Sequence, residues 1–188
     1  MHINKGRLLV FSAPSGAGKT TIVRDILKKY PKLVFSISAT TRRPRNVEKE
    51  GKDYFFITEE EFKNKIDKNE FVEWEKFYDY YYGTLKSFVN HEIDAGNNVV
   101  LEVDVKGAVK IKESYPDAVL IFVSPPSFDV LSSRLINRNT ETKEDLKKRI
   151  ERAEMEMSYK DKFDHVVLND DLEKAKIDAE IIIKKYIN

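Results

Sequence analysis

The sequence predicts an α/β protein built on a parallel central sheet with helices on both faces, and three observations carry that expectation. The apolar run Leu8-Leu9-Val10-Phe11 leads directly into the glycine-rich stretch Ala13-Pro14-Ser15-Gly16-Ala17-Gly18-Lys19-Thr20. Behind it, Ile22, Val23, Ile26, Leu27 and Tyr30 recur at the i, i+3, i+4 spacing of an amphipathic helix. Further along, Val99-Val100-Leu101-Glu102-Val103, Ala118-Val119-Leu120-Ile121-Phe122-Val123 and Val166-Val167-Leu168 are short, nearly continuous apolar runs separated by helical patterns. Such runs are strands of a sheet buried on both sides.

Strand, glycine-rich loop and helix, in that order, make up a phosphate-binding P-loop. Gly16 and Gly18 allow backbone N–H groups to turn toward phosphate oxygens, and the helix N-terminus adds its positive dipole end. Lys19 is placed to reach the β- and γ-phosphates, and the Thr20 hydroxyl to sit on Mg2+. The first position of the pattern is Ala13 rather than glycine; at a strand end a methyl group is tolerated. The chain is therefore expected to bind a nucleoside triphosphate and to adopt the P-loop three-layer fold.

Composition narrows the class further. A chain of 188 residues, 41% hydrophobic and 11% aromatic, reads as one packed domain. Its 33 basic residues against 32 acidic ones leave a formal charge of +1, so no bulk field draws it to nucleic acid or an anionic membrane. Without cysteine there is neither a disulfide nor a thiolate metal site. Residues 1–7 run into the first strand without a signal-peptide core, and no apolar run is long enough to span a bilayer. A soluble, cytoplasmic protein is expected.

Other elements follow in order. Phe35-Ser36-Ile37-Ser38 reads as a strand. Leu85, Phe88, Val89, Glu92 and Ile93 form a helix stopped by Gly96 as its C′ residue. Leu146, Ile150, Ala153 and Met157 make a narrow apolar stripe on a long charged helix. Leu172, Ala175, Ala179, Ile182, Ile183 and Tyr186 make the closing one. Two segments break the α/β alternation. The first holds Tyr54-Phe55-Phe56-Ile57, a short helix through Ile66 opened by the capping-box spacing Thr58-Glu59-Glu60-Glu61, and strand-like Phe71–Trp74 and Tyr80–Thr84. It reads as a small mixed lobe inserted into the core. The second opens at Pro125-Pro126 and is rich in Arg and Lys.

What receives the phosphate is a separate question. Ser38-Ala39-Thr40-Thr41-Arg42-Arg43-Pro44-Arg45 follows a strand and carries three arginines in four residues. Guanidinium forks match phosphate oxygens bidentately, although a charge run also reads as a solvated loop. Gly51-Lys52-Asp53-Tyr54, Asn69-Glu70-Phe71-Val72-Glu73-Trp74 and Tyr81-Tyr82-Gly83-Thr84 share the inserted lobe. Tyrosine hydroxyls bind phosphate, and a carboxylate among aromatics accepts two N–H bonds from one base edge. Equally, Trp74 and the tyrosines suit the core of the lobe.

Taken together, these segments resemble the guanylate kinase family, which phosphorylates GMP with ATP. Over essentially the whole chain the motifs run Pro-Ser-Gly-Ala-Gly-Lys-Thr, Ser-x-Thr-Thr-Arg-x-Pro-Arg, Gly-Lys-Asp-Tyr, Glu-Phe-x-Glu-Trp, Tyr-Tyr-Gly-Thr, Leu-Glu-x-Asp and Asn-Asp-Asp. The resemblance implies a single domain, 1–188: a core of about 1–34, 85–124 and 160–188, a mixed α/β GMP-binding lobe of about 35–84, and a helical lid of about 125–159. It implies that Arg42, Arg45, Tyr54 and Tyr82 hold the GMP phosphate, and that Ser38, Glu73 and Thr84 read the guanine edge. Glu102 and Asp104 would serve the Mg2+ hydration shell and GMP, with Thr20 and Glu102 on the metal side. Residues 13–20, Arg134, Arg138 and Asn169 would form the ATP side, Asn169 near the adenine. Lys19, Arg42, Arg138 and Arg149 would be the catalytic charges. Thr84 replaces a serine of some relatives, and Asn139 follows Arg138 where a lid glycine can occur. His2, His91 and His165 match nothing catalytic.

The implied reaction is MgATP + GMP ⇌ MgADP + GDP, with dGMP as a further acceptor. Alignment and charge neutralisation carry it. The acceptor phosphate is already anionic, so no general base is needed. Closure of lobe and lid would exclude water. Two other readings differ in their requirements. A protein-binding module of the same fold has no use for Lys19-Thr20, Arg42, Arg45 or the lid arginines. A kinase for another phosphorylated acceptor has no use for Ser38, Glu73 and Thr84. The expected partners are thus ATP and GMP, with no nucleic acid, membrane or obligatory protein partner.

Overall fold

The computed structural model describes residues 5–45, 47–77, 79–136 and 143–187. The chain enters through β1 (Leu8–Ser12), passes the glycine-rich loop and continues as α1 (Lys19–Lys29). Three two-residue strands follow: β2 (Val34–Phe35), β3 (Ala39–Thr40) and β4 (Phe55–Phe56). Next come α2 (Glu59–Asp67), β5 (Phe71–Phe77), β6 (Tyr80–Leu85) and α3 (Lys86–Asp94). Then follow β7 (Val99–Glu102), α4 (Val105–Ser114), β8 (Val119–Ser124), α5 (Phe128–Ile136) and α6 (Lys143–Met157). The chain closes with β9 (His165–Leu168) and α7 (Leu172–Ile183).

β1 lies at the centre of a five-stranded, wholly parallel sheet of order β2-β7-β1-β8-β9. Alternate residues of β1 serve opposite faces, as the strand period requires. Leu9 and Phe11 pack with Ile22, Val23 and Ile26 of α1, Leu131 and Leu135 of α5, Ala153 of α6, and Ala179 and Ile183 of α7. Leu8 and Val10 face Val89 of α3 and Ala108 and Ile111 of α4. The result is the expected three-layer arrangement; burying each large apolar side chain stabilises it by about 1.5–3 kcal/mol. Leu146, Ile150 and Met157 also pack against the first cluster, so the narrow stripe of α6 is its inward face. Among the described residues no helix is long and apolar enough to cross a membrane.

Two elements differ from the sequence reading. The strand expected over Phe35–Ser38 ends at Phe35, because the chain leaves the parallel sheet after the Ser36 N–H bonds the Val100 carbonyl (3.0 Å) and joins another sheet at Ala39. The helix α4 has no counterpart among the expectations. Gly107 and the β-branched Val105, Val109 and Ile111 give it weak propensity, and its start is fixed by Asp104, whose carboxylate accepts the Gly107 N–H (2.6 Å). Gly96 behaves as expected: at φ 85° it lets Asn97 N–H reach the Glu92 carbonyl (2.9 Å) and its own N–H reach Ile93 (3.0 Å), closing α3 in a Schellman turn.

The second sheet, of order β4-β3-β6-β5, carries its own cluster of Ala39, Phe62 and Phe71, with the two rings stacked at 4.3 Å. Tyr81 packs against it, but Trp74 is 38% exposed and lies outside it. α2 opens with a complete capping box: Glu61 N–H donates to Thr58 Oγ1 (3.1 Å) and Thr58 N–H to Glu61 Oε2 (2.8 Å). Thr58→Ala is expected to cost about 1 kcal/mol and to lower Tm by roughly 2–4 °C in thermal denaturation. Thr58 opens α2, whose Phe62 packs on Phe71 and Tyr81. Tyr82 and Thr84 alternate with Tyr81 along β6 and so serve the other face, and the KM values for both nucleotides should not move.

Candidate active site

The loop between β1 and α1 sits at the carboxyl end of the parallel strands, where α/β sheets bind ligands. Ala13 is buried among core residues, so its methyl is accommodated as expected. Pro14, Ser15, Gly16, Ala17 and Gly18 form the turn, with Ala17 N–H on the Pro14 carbonyl (3.1 Å). Gly18 caps α1 at φ 95°, and a side chain there would run into the Asn169 carboxamide. Asn169 is itself buried and donates to the Ala17 carbonyl (2.7 Å), while Arg134 Nη2 donates to the Asn169 carbonyl (3.1 Å). The carboxamide of Asn169 braces the phosphate loop in this way.

Lys19 Nζ donates to the Val103 carbonyl (3.0 Å) and lies 3.9 Å from Glu102. Burial pushes its ammonium below the usual range, and Glu102, Asp104, Glu156 and Glu73 pull it back up. Thr20 Oγ1 donates to Glu102 Oε2 (2.8 Å) at the end of β7. Loop, lysine, hydroxyl and carboxylate thus meet at one place.

Across from them, the second sheet gathers the other predicted groups. Arg42 forms a bidentate pair with Glu48 (both bonds 2.9 Å), and its guanidinium lies 5.4 Å from the Tyr54 ring centre. Tyr54 and Tyr82 meet edge to face at 6.1 Å. Arg45 is exposed, and its backbone N–H also donates to Glu48 (2.7 Å). Hydrogen bonds from Arg42 and the Arg45 amide hold the Glu48 carboxyl below its usual range. Glu48, unmarked in the sequence among many exposed acids, is thus the companion of this arginine. Ser38 is half-buried between the sheets and accepts the Phe55 N–H (2.9 Å) on its carbonyl.

Glu73 and Thr84 face each other across β5 and β6 beside a register shift. Both are buried, and Thr84 Oγ1 donates to Glu73 Oε1 (2.8 Å). Burial pushes the Glu73 carboxyl up to about 7, with the Thr84 bond opposing. A Cβ on Gly107 would stand 3.0 Å from Glu73 Oε2 and 3.2 Å from Asp104 Oδ1. The first turn of α4 therefore closes over both carboxylates, and the sequence signal was the cap spacing from Asp104 to Gly107.

From α6, Arg149 Nη2 donates to Ser15 Oγ (3.2 Å), and the buried Glu156 accepts the Ser15 N–H (3.0 Å). Arg138 and Asn139 lie outside the described residues, as does His2. His91 is exposed on α3, and His165 Nε2 meets Tyr186 OH (2.6 Å), away from the loop.

Fold and site together define a class: a P-loop kinase that acts on nucleotides. Residues 5–186 match the sequence model of the family described as guanylate kinase. A guanylate kinase of Caldanaerobacter subterraneus subsp. tengcongensis is 50% identical over 98% of this chain and 91% of its own length. One from Thermotoga maritima is 47% identical over 91% of this chain and 83% of its own. The crystal structure of guanylate kinase from Anaplasma phagocytophilum superposes with a TM-score of 0.75 at 29% identity, covering 98% of this chain and 88% of that one. The chain belongs to the guanylate kinase family.

Proposed function

We propose the following division of labour for the ATP:GMP phosphotransferase activity that membership of the guanylate kinase family gives this protein. The observation that carries it is the buried Glu73 carboxylate, fixed by the Thr84 hydroxyl and closed in by Gly107. Guanine offers N1–H and N2–H2 donors on one edge, and a carboxylate accepts both. Ser38 and Asp104 complete the base pocket. The acceptor phosphate lies against Arg42, Arg45, Tyr54 and Tyr82, where it competes with Glu48 for the Arg42 fork.

The donor triphosphate occupies the loop from Ala13 to Thr20, with Lys19 on its β- and γ-phosphates. Lys19, Arg42 and the lid arginines Arg134, Arg138 and Arg149 offset the repulsion between two polyanions. Thr20 and Glu102 present hard oxygen donors 2.8 Å apart beside the loop, a set that fits a magnesium ion arriving with the triphosphate. When bound, that ion neutralises charge on the transferring phosphate. The acceptor lobe, about 35–84, and the lid, about 125–159, fold onto the core to exclude water.

A coupled assay offering GMP, dGMP, AMP, CMP and ribose phosphates with MgATP tests the reading; turnover of AMP or CMP equal to that of GMP would overturn it. Arg42→Ala and Arg45→Ala are each expected to raise KM for GMP by about tenfold to hundredfold, the loss of a charged hydrogen bond. KM for ATP should stay within about twofold, because both arginines sit on the acceptor side.

A further inference from the structure

We infer that Arg152, a residue in none of the motifs above, is a positioning residue that ties the acceptor lobe to the phosphate loop and links the binding of the two nucleotides. The inference rests on the functional reading just given and deepens it.

Arg149, Arg152, Ala153 and Glu156 follow at i, i+3, i+4 and i+7, so they share one face of α6. Ala153 buries that face in the core. From it, Arg152 reaches three ways. Its Nε donates to Glu156 Oε1 (2.8 Å), one turn along the same helix. Its Nη2 lies 3.2 Å from Glu75 Oε2 on β5 and 3.4 Å from Asp104 Oδ2 at the start of α4. The guanidinium also stacks 4.4 Å from the Phe77 ring centre.

The partners lead to two parts of the site. Glu75 and Phe77 lie on the strand that carries Glu73, two and four residues beyond it. Asp104 caps α4 over the same carboxylate. Glu156, only 4% exposed, passes the connection on by accepting the Ser15 N–H at the crest of the phosphate loop. A continuous polar path therefore runs from β5 through Arg152 and Glu156 to Ser15, joining the two nucleotide sites through a helix of the lid. Arg152 also offsets three carboxylates that would otherwise face incoming phosphates. A planar fork serves several partners at once, which an ammonium cannot do. A shift of β5 on GMP binding is then felt at the loop that holds ATP, and linkage makes the effect reciprocal.

The test is calorimetric titration of a non-hydrolysable ATP analogue with Mg2+, with and without saturating GMP. In the wild-type protein GMP should tighten the analogue by about 5-fold or more, the usual range for coupled sites. Glu75→Gln cuts the path at its lobe end and leaves the Arg152–Glu156 pair intact. It should reduce this factor at least about threefold while each nucleotide, titrated alone, binds within about twofold of wild type. Arg152→Met, which keeps the packing on Phe77, should reduce the factor as much, and the double variant no further. A factor unmoved in Glu75→Gln, additive losses in the double variant, or no coupling in the wild type would overturn the inference. If the wild type turns over GMP but the factor ignores Glu75→Gln, only the bridge fails. If it turns over no GMP, the functional reading fails and takes the bridge with it.

Discussion

Lys19→Ala is expected to lower kcat by about 10²–10³-fold or more while the protein stays folded. Removing one preorganised donor from a developing charge typically costs about 2.7–4 kcal/mol of barrier. Lys19 is poised for this role: its ammonium is partly desolvated, surrounded by Glu102, Asp104, Glu156 and Glu73, and anchored on the Val103 carbonyl. The same anchor means the substitution also frees that carbonyl, so thermal denaturation must accompany the kinetics. A folded Lys19→Ala protein with near-native kcat would overturn the P-loop mechanism.

Glu73→Gln is expected to be nearly as damaging, but to the acceptor side alone. The glutamine keeps the shape, gives up the charge and turns one acceptor into a donor facing guanine donors. Loss of kcat/KM for GMP should reach about a hundredfold or more, with a smaller preference over AMP and unchanged ATP binding. The pH dependence gives an independent readout. Burial holds the Glu73 carboxyl of the free protein up at about 7, and under the proposed reading the guanine edge requires the carboxylate. Below that pH a proton must leave when GMP binds, so affinity should fall by up to about tenfold per unit and level off above it. The second ionisation of the GMP phosphate, near pH 6, adds its own slope; the difference between wild type and Glu73→Gln isolates the carboxyl. Stability follows the opposite course. An unfolded chain releases this proton at about 4.5 whereas the native protein holds it to about 7. The Glu73 contribution to stability therefore falls as pH rises through that window and is flat above it. If GMP affinity showed the same pH profile in both proteins, Glu73 would not be the base-reading group.

The parts of the site that were legible in the sequence are those written locally. The loop from Ala13 to Thr20 sits between an apolar run and an amphipathic one, and the Thr58 cap is complete within four residues. A base-edge carboxylate is suggested by the acids set among aromatics at residues 69–74, but only the family motifs single out Glu73 and Thr84, since neither periodicity nor spacing says that they share a hydrogen bond. Glu48, Arg152 and Glu156 were invisible for a physical reason. Each is a charged residue among many, and what distinguishes it is the partner folding gives it: the nearby Arg42 for Glu48, but Glu75 for Arg152 and Ser15 for Glu156, both far away in sequence. The motif around Asp104 shows its carboxylate but not the helix that carboxylate starts. The short β2 was likewise illegible, because leaving one sheet for another is decided by pairing partners and not by the hydrophobicity of Ile37.

The bond from Asn169 to the carbonyl of Ala17 spans 152 residues of sequence. Synthesis proceeds from the N-terminus, so the glycine-rich turn leaves the ribosome long before the amide that braces it. The strands flanking β1 on both sides, β7 and β8, are also made much later. The nascent turn has neither its floor nor its walls, and nucleotide capture is a property of the finished chain. Ligand present in the cell then favours only molecules that have completed folding, adding to their stability by mass action, while unfinished chains gain nothing from it.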